Sequence, residues 1–61
     1  MLNNIIITTN ENGGMNEYKY DFFKEGFEEW AEKLDADHSK ENLKEYLIEC
    51  GYKVKEIKEL D

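Results

Sequence analysis

The chain opens with a pattern that predicts a β-hairpin. A short β-branched run predicts a strand over Leu2 to Thr9, with isoleucines that point to both faces. Asn12-Gly13 follows, a pair that accepts positive φ at consecutive positions and is typical of a hairpin turn. From Met15 to Phe22 apolar and polar residues alternate, which predicts a half-buried antiparallel strand.

The next segment has helical periodicity and predicts a first helix from about Phe22 to Leu34. Asp21 is a suitable N-cap. Gly26 lies inside this helix and costs roughly 1 kcal/mol relative to alanine, so it either permits close packing against the sheet or is tolerated without a role. The apolar residues that share one side of the helix are Phe23, Phe27, Trp30 and Leu34.

A second helix is predicted after a short polar break, with Ser39 as N-cap and Asp37 as the alternative. Gly51 suits the position just beyond its end. The core side of this helix is predicted from apolar residues that recur at i, i+3, i+4 and i+7, which are Leu43, Tyr46, Leu47 and Cys50.

The last segment is ambiguous, because Tyr52 and Val54 alternate as in a strand while Val54, Ile57 and Leu60 are spaced as in a helix. We predict a strand over about Tyr52 to Ile57, in which a β-bulge would return Ile57 to the core face.

These elements predict a single α+β domain over residues 1–61 with the order β-β-α-α-β. The expected sheet has three strands in the order 2-1-3, both helices pack on one face, and the third strand runs parallel to the first. The expected core consists of Ile5, Ile7, Tyr20, Phe22, Phe27, Trp30, Leu34, Leu43, Leu47, Cys50 and Val54.

Composition narrows the functional classes. The 61 residues include 15 acidic and 8 basic residues, a net charge of −7, and every basic residue is lysine. Because nucleic-acid affinity depends on neutralising phosphates, direct binding of nucleic acid is disfavoured. A protein partner with a basic surface is favoured instead.

The residues offer little for catalysis or metal binding. Cys50 is the only cysteine, so an internal disulfide is excluded, and one cysteine with one histidine makes a zinc site unpromising. His38 stands beside Asp37 and Ser39, but residues adjacent in sequence rarely converge on one reacting atom. We therefore expect a protein that is not an enzyme, with no catalytic residues, no metal and no cofactor.

The chain shows no signal peptide and no run of about 18 apolar residues that could cross a bilayer. We therefore expect a cytoplasmic protein without membrane contact.

The acidic side chains of the two helices form rows opposite the apolar sides. Neighbouring carboxylates at i, i+3 and i+4 are about 6 Å apart, close to the spacing of successive phosphates on one nucleic-acid strand. Such rows can imitate a phosphate backbone, or they can simply keep a small protein soluble. The candidate partner-binding residues are Glu25, Glu28, Glu29, Glu32, Glu41, Glu45 and Glu49.

Surplus apolar residues suggest a second surface, through which the chain could form a homodimer across the open sheet face or an edge strand. Its candidate residues are Ile6, Tyr18, Tyr46, Ile48 and Tyr52.

In size, charge and composition the chain is similar to the small acidic proteins that phages use to disable host factors, some of which imitate DNA. That resemblance implies a phage or mobile-element inhibitor that masks a nucleic-acid-binding surface of a host protein. The alternative is a small structural or assembly module that homo-oligomerises through apolar and tyrosine contacts.

Overall fold

The structure is a computed structural model that describes residues 4–60. It contains three strands and two helices in the predicted order β-β-α-α-β. The predicted start of the first strand at Leu2 lies outside the described residues. The elements are β1 (Ile5–Glu11), β2 (Gly14–Lys19), α1 (Tyr20–Leu34), α2 (Lys40–Glu49) and β3 (Val54–Glu59).

The strands form one sheet in the order β2-β1-β3, which confirms the predicted order, with the helices on a single face. The prediction that β3 runs parallel to β1 is wrong, since both neighbours of β1 are antiparallel to it. Lys40 at the start of α2 pairs with Glu59, which lies opposite Ile5, so α2 begins at the Ile5 end of the sheet and runs toward the Thr9 end. The chain therefore enters β3 beside Thr9, at the opposite end of β1 from the start of α1.

Two local features of the sheet follow the sequence closely. Asn12 and Gly13 both have positive φ, 55° and 77°, and join the paired residues Glu11 and Gly14 as a two-residue hairpin turn. In β3 the register shifts between Thr8 and Thr9 of β1, which is the expected bulge. It leaves Val54 and Ile57 half-buried on the core side.

The boundary between β2 and α1 differs from the prediction. β2 ends at Lys19, and α1 begins at Tyr20, so Asp21 lies in the first helical turn rather than at the N-cap. Tyr20 satisfies both patterns, because it continues the alternation of β2 and also begins a helical series. The helical series prevails because Tyr20, Phe23, Phe27 and Ala31 all bury on one side of α1.

Both helices end with the same pair of backbone hydrogen bonds. At the end of α2 the Gly51 N–H donates to the Ile48 carbonyl and the Tyr52 N–H to the Leu47 carbonyl, with Gly51 at φ 99° as predicted. At the end of α1 the residue with positive φ is Asp35, at φ 53°.

The start of α2 confirms Ser39 as its N-cap, because the Ser39 Oγ accepts a hydrogen bond from the Asn42 N–H at 3.2 Å. Asp37 is not the cap. Its backbone carbonyl instead accepts from the Asn42 side chain at 2.8 Å.

The core lies between the helices and the inner face of the sheet. Its buried hydrophobic residues are Ile5, Ile7, Tyr20, Phe23, Phe27, Ala31, Leu43 and Leu47. Three predicted core residues are exposed instead: Phe22, Leu34 and Cys50. Phe22 turns outward when helical geometry replaces the alternation, while Leu34 and Cys50 lie where the helices end and leave the sheet. Trp30 and Val54 are only partly buried against the core.

Candidate functional site: an acidic helical layer

The glutamates of α1 lie on the side of the helix that faces away from the sheet. Glu25, Glu29 and Glu32 are exposed, and Glu28 is half-buried. This placement follows from the sequence, because the same helix buries Phe27 on its opposite side. The four carboxylates are therefore held at helical spacing on one rigid surface.

Glu28 differs from its three neighbours because it lies close to the buried Tyr20 ring. Burial, and after it the negative charge of the Glu28 carboxylate, raises the pKa of the Tyr20 phenol above its ordinary value of 10.0. Tyr20 thus remains protonated over the physiological range. Its contact with Glu28 links the acidic row to the core.

The three glutamates of α2, at positions 41, 45 and 49, are all exposed and repeat every four residues. At the end of this row the Trp30 indole N–H donates to a Glu49 carboxylate oxygen at 3.4 Å. The bond joins the acidic row of α2 to α1. The two helices together therefore form what we call the acidic helical layer, defined by the seven glutamates of α1 and α2.

The helices meet where Gly26 of α1 faces Tyr46 of α2. A Cβ atom at Gly26 would lie 2.3 Å from the Tyr46 hydroxyl oxygen, so glycine permits this close approach. The close packing is therefore against the second helix and not against the sheet. The Tyr46 ring also packs beside Phe27 and Trp30, at centroid distances of 5.9 and 5.6 Å.

The surroundings of the helix crossing also change the pKa of Tyr46. Burial, followed by the Cys50 side chain, raises the pKa of the Tyr46 phenol, with smaller contributions from Tyr52 and the Glu29 carboxylate.

Lysines neutralise little of the acidic helical layer. Lys33 approaches Glu29 at 3.7 Å, but both side chains are more than 70% exposed, and such pairs contribute little to stability. Lys40 pairs with Glu59 of β3 at 3.2 Å. Lys44 lines a groove of about 340 Å³ between α2 and β3, together with Lys40 and Lys55. Two of the four helical lysines therefore face the sheet edge.

Charge is consequently divided between the two layers of the fold. Between Asp21 and Glu49 lie ten acidic residues and four lysines, a net charge of −6. The three strands together with Lys53 carry four glutamates and four lysines, a net charge of zero. The acidity of the chain is thus a property of one layer.

The residues suggested for an apolar interface do not form one surface. Ile6 lies on the sheet face away from the helices, and Ile48 is exposed on α2. Tyr18 and Tyr52 lie on the core side with their ring centroids 6.1 Å apart, and both rings pack against Phe23. Tyr46 lies in the helix crossing described above.

An exposed aromatic residue was missed by the sequence reasoning. Phe22 is 67% exposed, with its ring 5.0 Å from the rings of both Tyr18 and Phe23. The signal that could have found it is helical spacing, since Phe22 lies about 100° from Phe23 around the helix, on the side away from Phe27.

The other side chains that could react or bind a metal are dispersed over the structure. Cys50 is an exposed free thiol, and the Ser39 hydroxyl is engaged in the cap of α2. His38 packs its ring 5.5 Å from that of Phe27. Within residues 4–60, no group of three or more His, Cys, Asp or Glu side chains is arranged to hold a metal ion.

Neither described helix has the length and apolar character that a membrane crossing requires. No protein family matches the chain, and no curated protein or solved structure is significantly similar to it.

Proposed function

We propose that this protein is a small acidic binding protein, without enzymatic activity, that masks the nucleic-acid-binding surface of a partner protein. The observation that carries the proposal is the division of charge, with −6 between Asp21 and Glu49 and zero on the strands together with Lys53. If solubility were the only role of the acidic residues, they could be spread over both layers. Their concentration on one layer gives the molecule one strongly anionic side.

The geometry of this layer suits a partner with a basic groove. Carboxylates at helical spacing lie about 5–6 Å apart, and the helix crossing at Gly26 holds the two rows in a fixed relation. A partner that normally holds phosphates would be attracted at long range, and the association would weaken as salt screens the charges.

The proposed setting is the cytoplasm of a bacterium, where a phage or mobile element would use such a protein against a host factor. The absence of arginine favours a protein partner over nucleic acid itself, because arginine is the usual bidentate ligand of phosphate.

The test is capture of partners from a bacterial lysate at low and high salt, followed by competition with duplex DNA. We expect salt-sensitive capture of a nucleic-acid-handling protein, displaced by DNA. The variant E25Q/E28Q/E29Q/E32Q should remain folded and lose this partner. Undiminished capture by the folded variant would contradict the proposal.

A matched control is offered by the four glutamates of the strands. The variant E11Q/E17Q/E56Q/E59Q changes the net charge by the same amount but leaves the acidic helical layer intact. We expect it to keep the partner. Equal loss in both variants would show that only the total charge matters.

A second candidate function, an assembly module that self-associates, is favoured by a different observation. The sheet face away from the helices is not covered by any described element. This candidate predicts that the melting temperature rises with protein concentration.

A further inference from the structure

The outer face of the sheet carries an ordered charge pattern. Ile6 and Thr8 of β1 lie at the centre of this face, since Ile5, Ile7 and Thr9 point to the core. Ile6 is half-buried, and Thr8 is 7% exposed beneath its flanking side chains. The centre of the face is therefore small and mostly apolar.

The residues that flank this centre form two rows of opposite sign. Ile6 pairs with Lys19 of β2 and Lys58 of β3, which we call the lysine row. Thr8 pairs with Glu17 of β2 and Glu56 of β3, the glutamate row. The rows are two residues apart along each strand, about 7 Å.

The four charges of these rows are not neutralised inside the molecule. Among the described residues, none of them makes an ion pair within 4.0 Å; the pairs that form there are Lys33–Glu29 and Lys40–Glu59. The rows are therefore available to charges from outside.

We propose that this face binds a second copy of the chain, with the lysine row of each sheet over the glutamate row of the other. This arrangement results from a two-fold axis that lies midway between the two sheets. The axis is level with Ile7 and runs perpendicular to the strands. It places Lys19 over Glu17 of the second copy and Lys58 over Glu56 of the second copy. Ile6 then lies over the position of Thr8 of the second copy, and the charged rows lie on either side of this centre.

The charge pattern selects this arrangement over the other face-to-face dimer. A two-fold axis along the strands would place lysine row over lysine row and glutamate row over glutamate row. Like charges placed opposite each other disfavour that dimer. The face is thus self-complementary in one orientation only.

The acidic helical layer supports the same choice of surface. Association through that layer would bring two surfaces of −6 together. In the face-to-face dimer the helices are outermost. The helical layers of the two copies are separated by both sheets, which lie about 10 Å apart, and by the distance from each sheet to its own helices. That distance exceeds the Debye length of about 8 Å at physiological salt, so the two acidic layers hardly repel each other.

The contact is limited in size, because β2 and β3 have only six residues each. We therefore expect a reversible dimer that forms at high protein concentration and dissociates as salt is added. The dimer would present two acidic helical layers on opposite sides. Since it uses a different surface, it stands whether or not those layers bind a basic partner.

The experiment compares two variants by sedimentation velocity from micromolar to millimolar concentration at about 0.15 M salt. K19E/K58E makes both rows acidic, and E17K/E56K makes both rows basic. We expect the wild type to dimerise and each variant alone to be monomeric. We expect an equimolar mixture of the variants to form a heterodimer, because each row then faces its opposite.

A monomeric wild type at millimolar concentration, dimers of either variant alone, or a mixture that fails to associate would each overturn the proposal. If a variant does not fold, the wild type is diluted instead and the changes of its amide chemical shifts are measured by NMR. Shifts confined to the outer sheet face around Ile6 and Thr8 would support the dimer. Shifts on the helices alone would overturn it.

Discussion

At the scale of single residues, the least expected feature is a buried hydroxyl. Thr9 is fully buried on the core side of β1, and its Oγ1 has no hydrogen-bond partner among the described residues. A buried unpaired polar atom costs free energy, because it has given up its hydrogen bonds to water. The sequence shows only a β-branched residue at this position, and its neighbour Thr8 has the same identity.

We predict that Thr9→Val raises the free energy of unfolding by about 1 kcal/mol, since valine keeps the shape and removes the hydroxyl. Chemical denaturation measures the change. Thr8→Val is the matched control and should give no comparable gain, because the Thr8 hydroxyl is not a buried unpaired group. A destabilised Thr9→Val protein would mean that Oγ1 has a partner after all.

Tyr20 provides a prediction for alkaline pH. Its pKa is raised by burial and then by Glu28, so the folded state binds the phenolic proton more tightly than the unfolded state does. The stabilisation is fully present below about pH 10 and is lost as the pH rises through the folded pKa.

We therefore expect Tyr20→Phe to lose less stability than the wild type when the pH is raised from about 9 to about 11. Denaturation curves at both pH values measure this difference, and the comparison cancels the effects of lysine deprotonation that both proteins share. Parallel losses in the two proteins would show that Tyr20 does not titrate differently on folding.

At the scale of elements, the two helices end by the same backbone motif with different residues at the left-handed position. Gly51 adopts φ 99° without a steric cost, whereas Asp35 adopts φ 53° with a Cβ atom and places a negative charge at the carboxyl end of α1. Both the conformation and the charge are unfavourable there.

We predict that Gly51→Ala lowers the free energy of unfolding by about 1–2 kcal/mol, because alanine resists the left-handed conformation. Asp35→Gly should raise it by up to about 1 kcal/mol. Asp35→Asn separates the two causes, since it removes the charge and keeps a side chain that tolerates positive φ. A neutral Gly51→Ala would contradict the role given to this glycine.

The elements also show what the sequence could and could not predict. The Asn12-Gly13 turn, the Ser39 cap and the Gly51 stop are local, and each was predicted because a short stretch of chain determines it. The orientation of β3 was predicted wrongly, since it depends on the end of the sheet at which α2 begins. That position depends on long-range contacts, such as the Lys40–Glu59 pair, that periodicity does not reveal.

The same limit applies to the candidate surfaces. The exposed faces of the glutamate rows could be predicted, because helical spacing alone places them opposite the apolar side. The lysine row could not, since Lys19 and Lys58 come together only through the pairing of two strands with β1. Phe22 was misplaced because alternation and helical periodicity overlap at the boundary between β2 and α1.

At the scale of the whole molecule, the fold separates a strongly acidic side from a neutral one. The segment from Asp21 to Glu49 carries −6, whereas the three strands together with Lys53 carry no net charge. We accordingly propose one function for each side: the acidic helical layer for a basic partner, and the outer sheet face for a second copy. The two uses do not compete, because they occupy opposite sides of the sheet.

The most direct test is the affinity of the captured partner for E25Q/E28Q/E29Q/E32Q and for E11Q/E17Q/E56Q/E59Q across a series of salt concentrations. The two variants have equal net charge, so only the placement of the charge differs. We predict that the helix variant binds at least about tenfold more weakly, a loss of roughly 1.4 kcal/mol, with a flatter salt dependence. We predict wild-type affinity for the strand variant, and equal weakening of both would contradict the assignment of binding to the acidic helical layer.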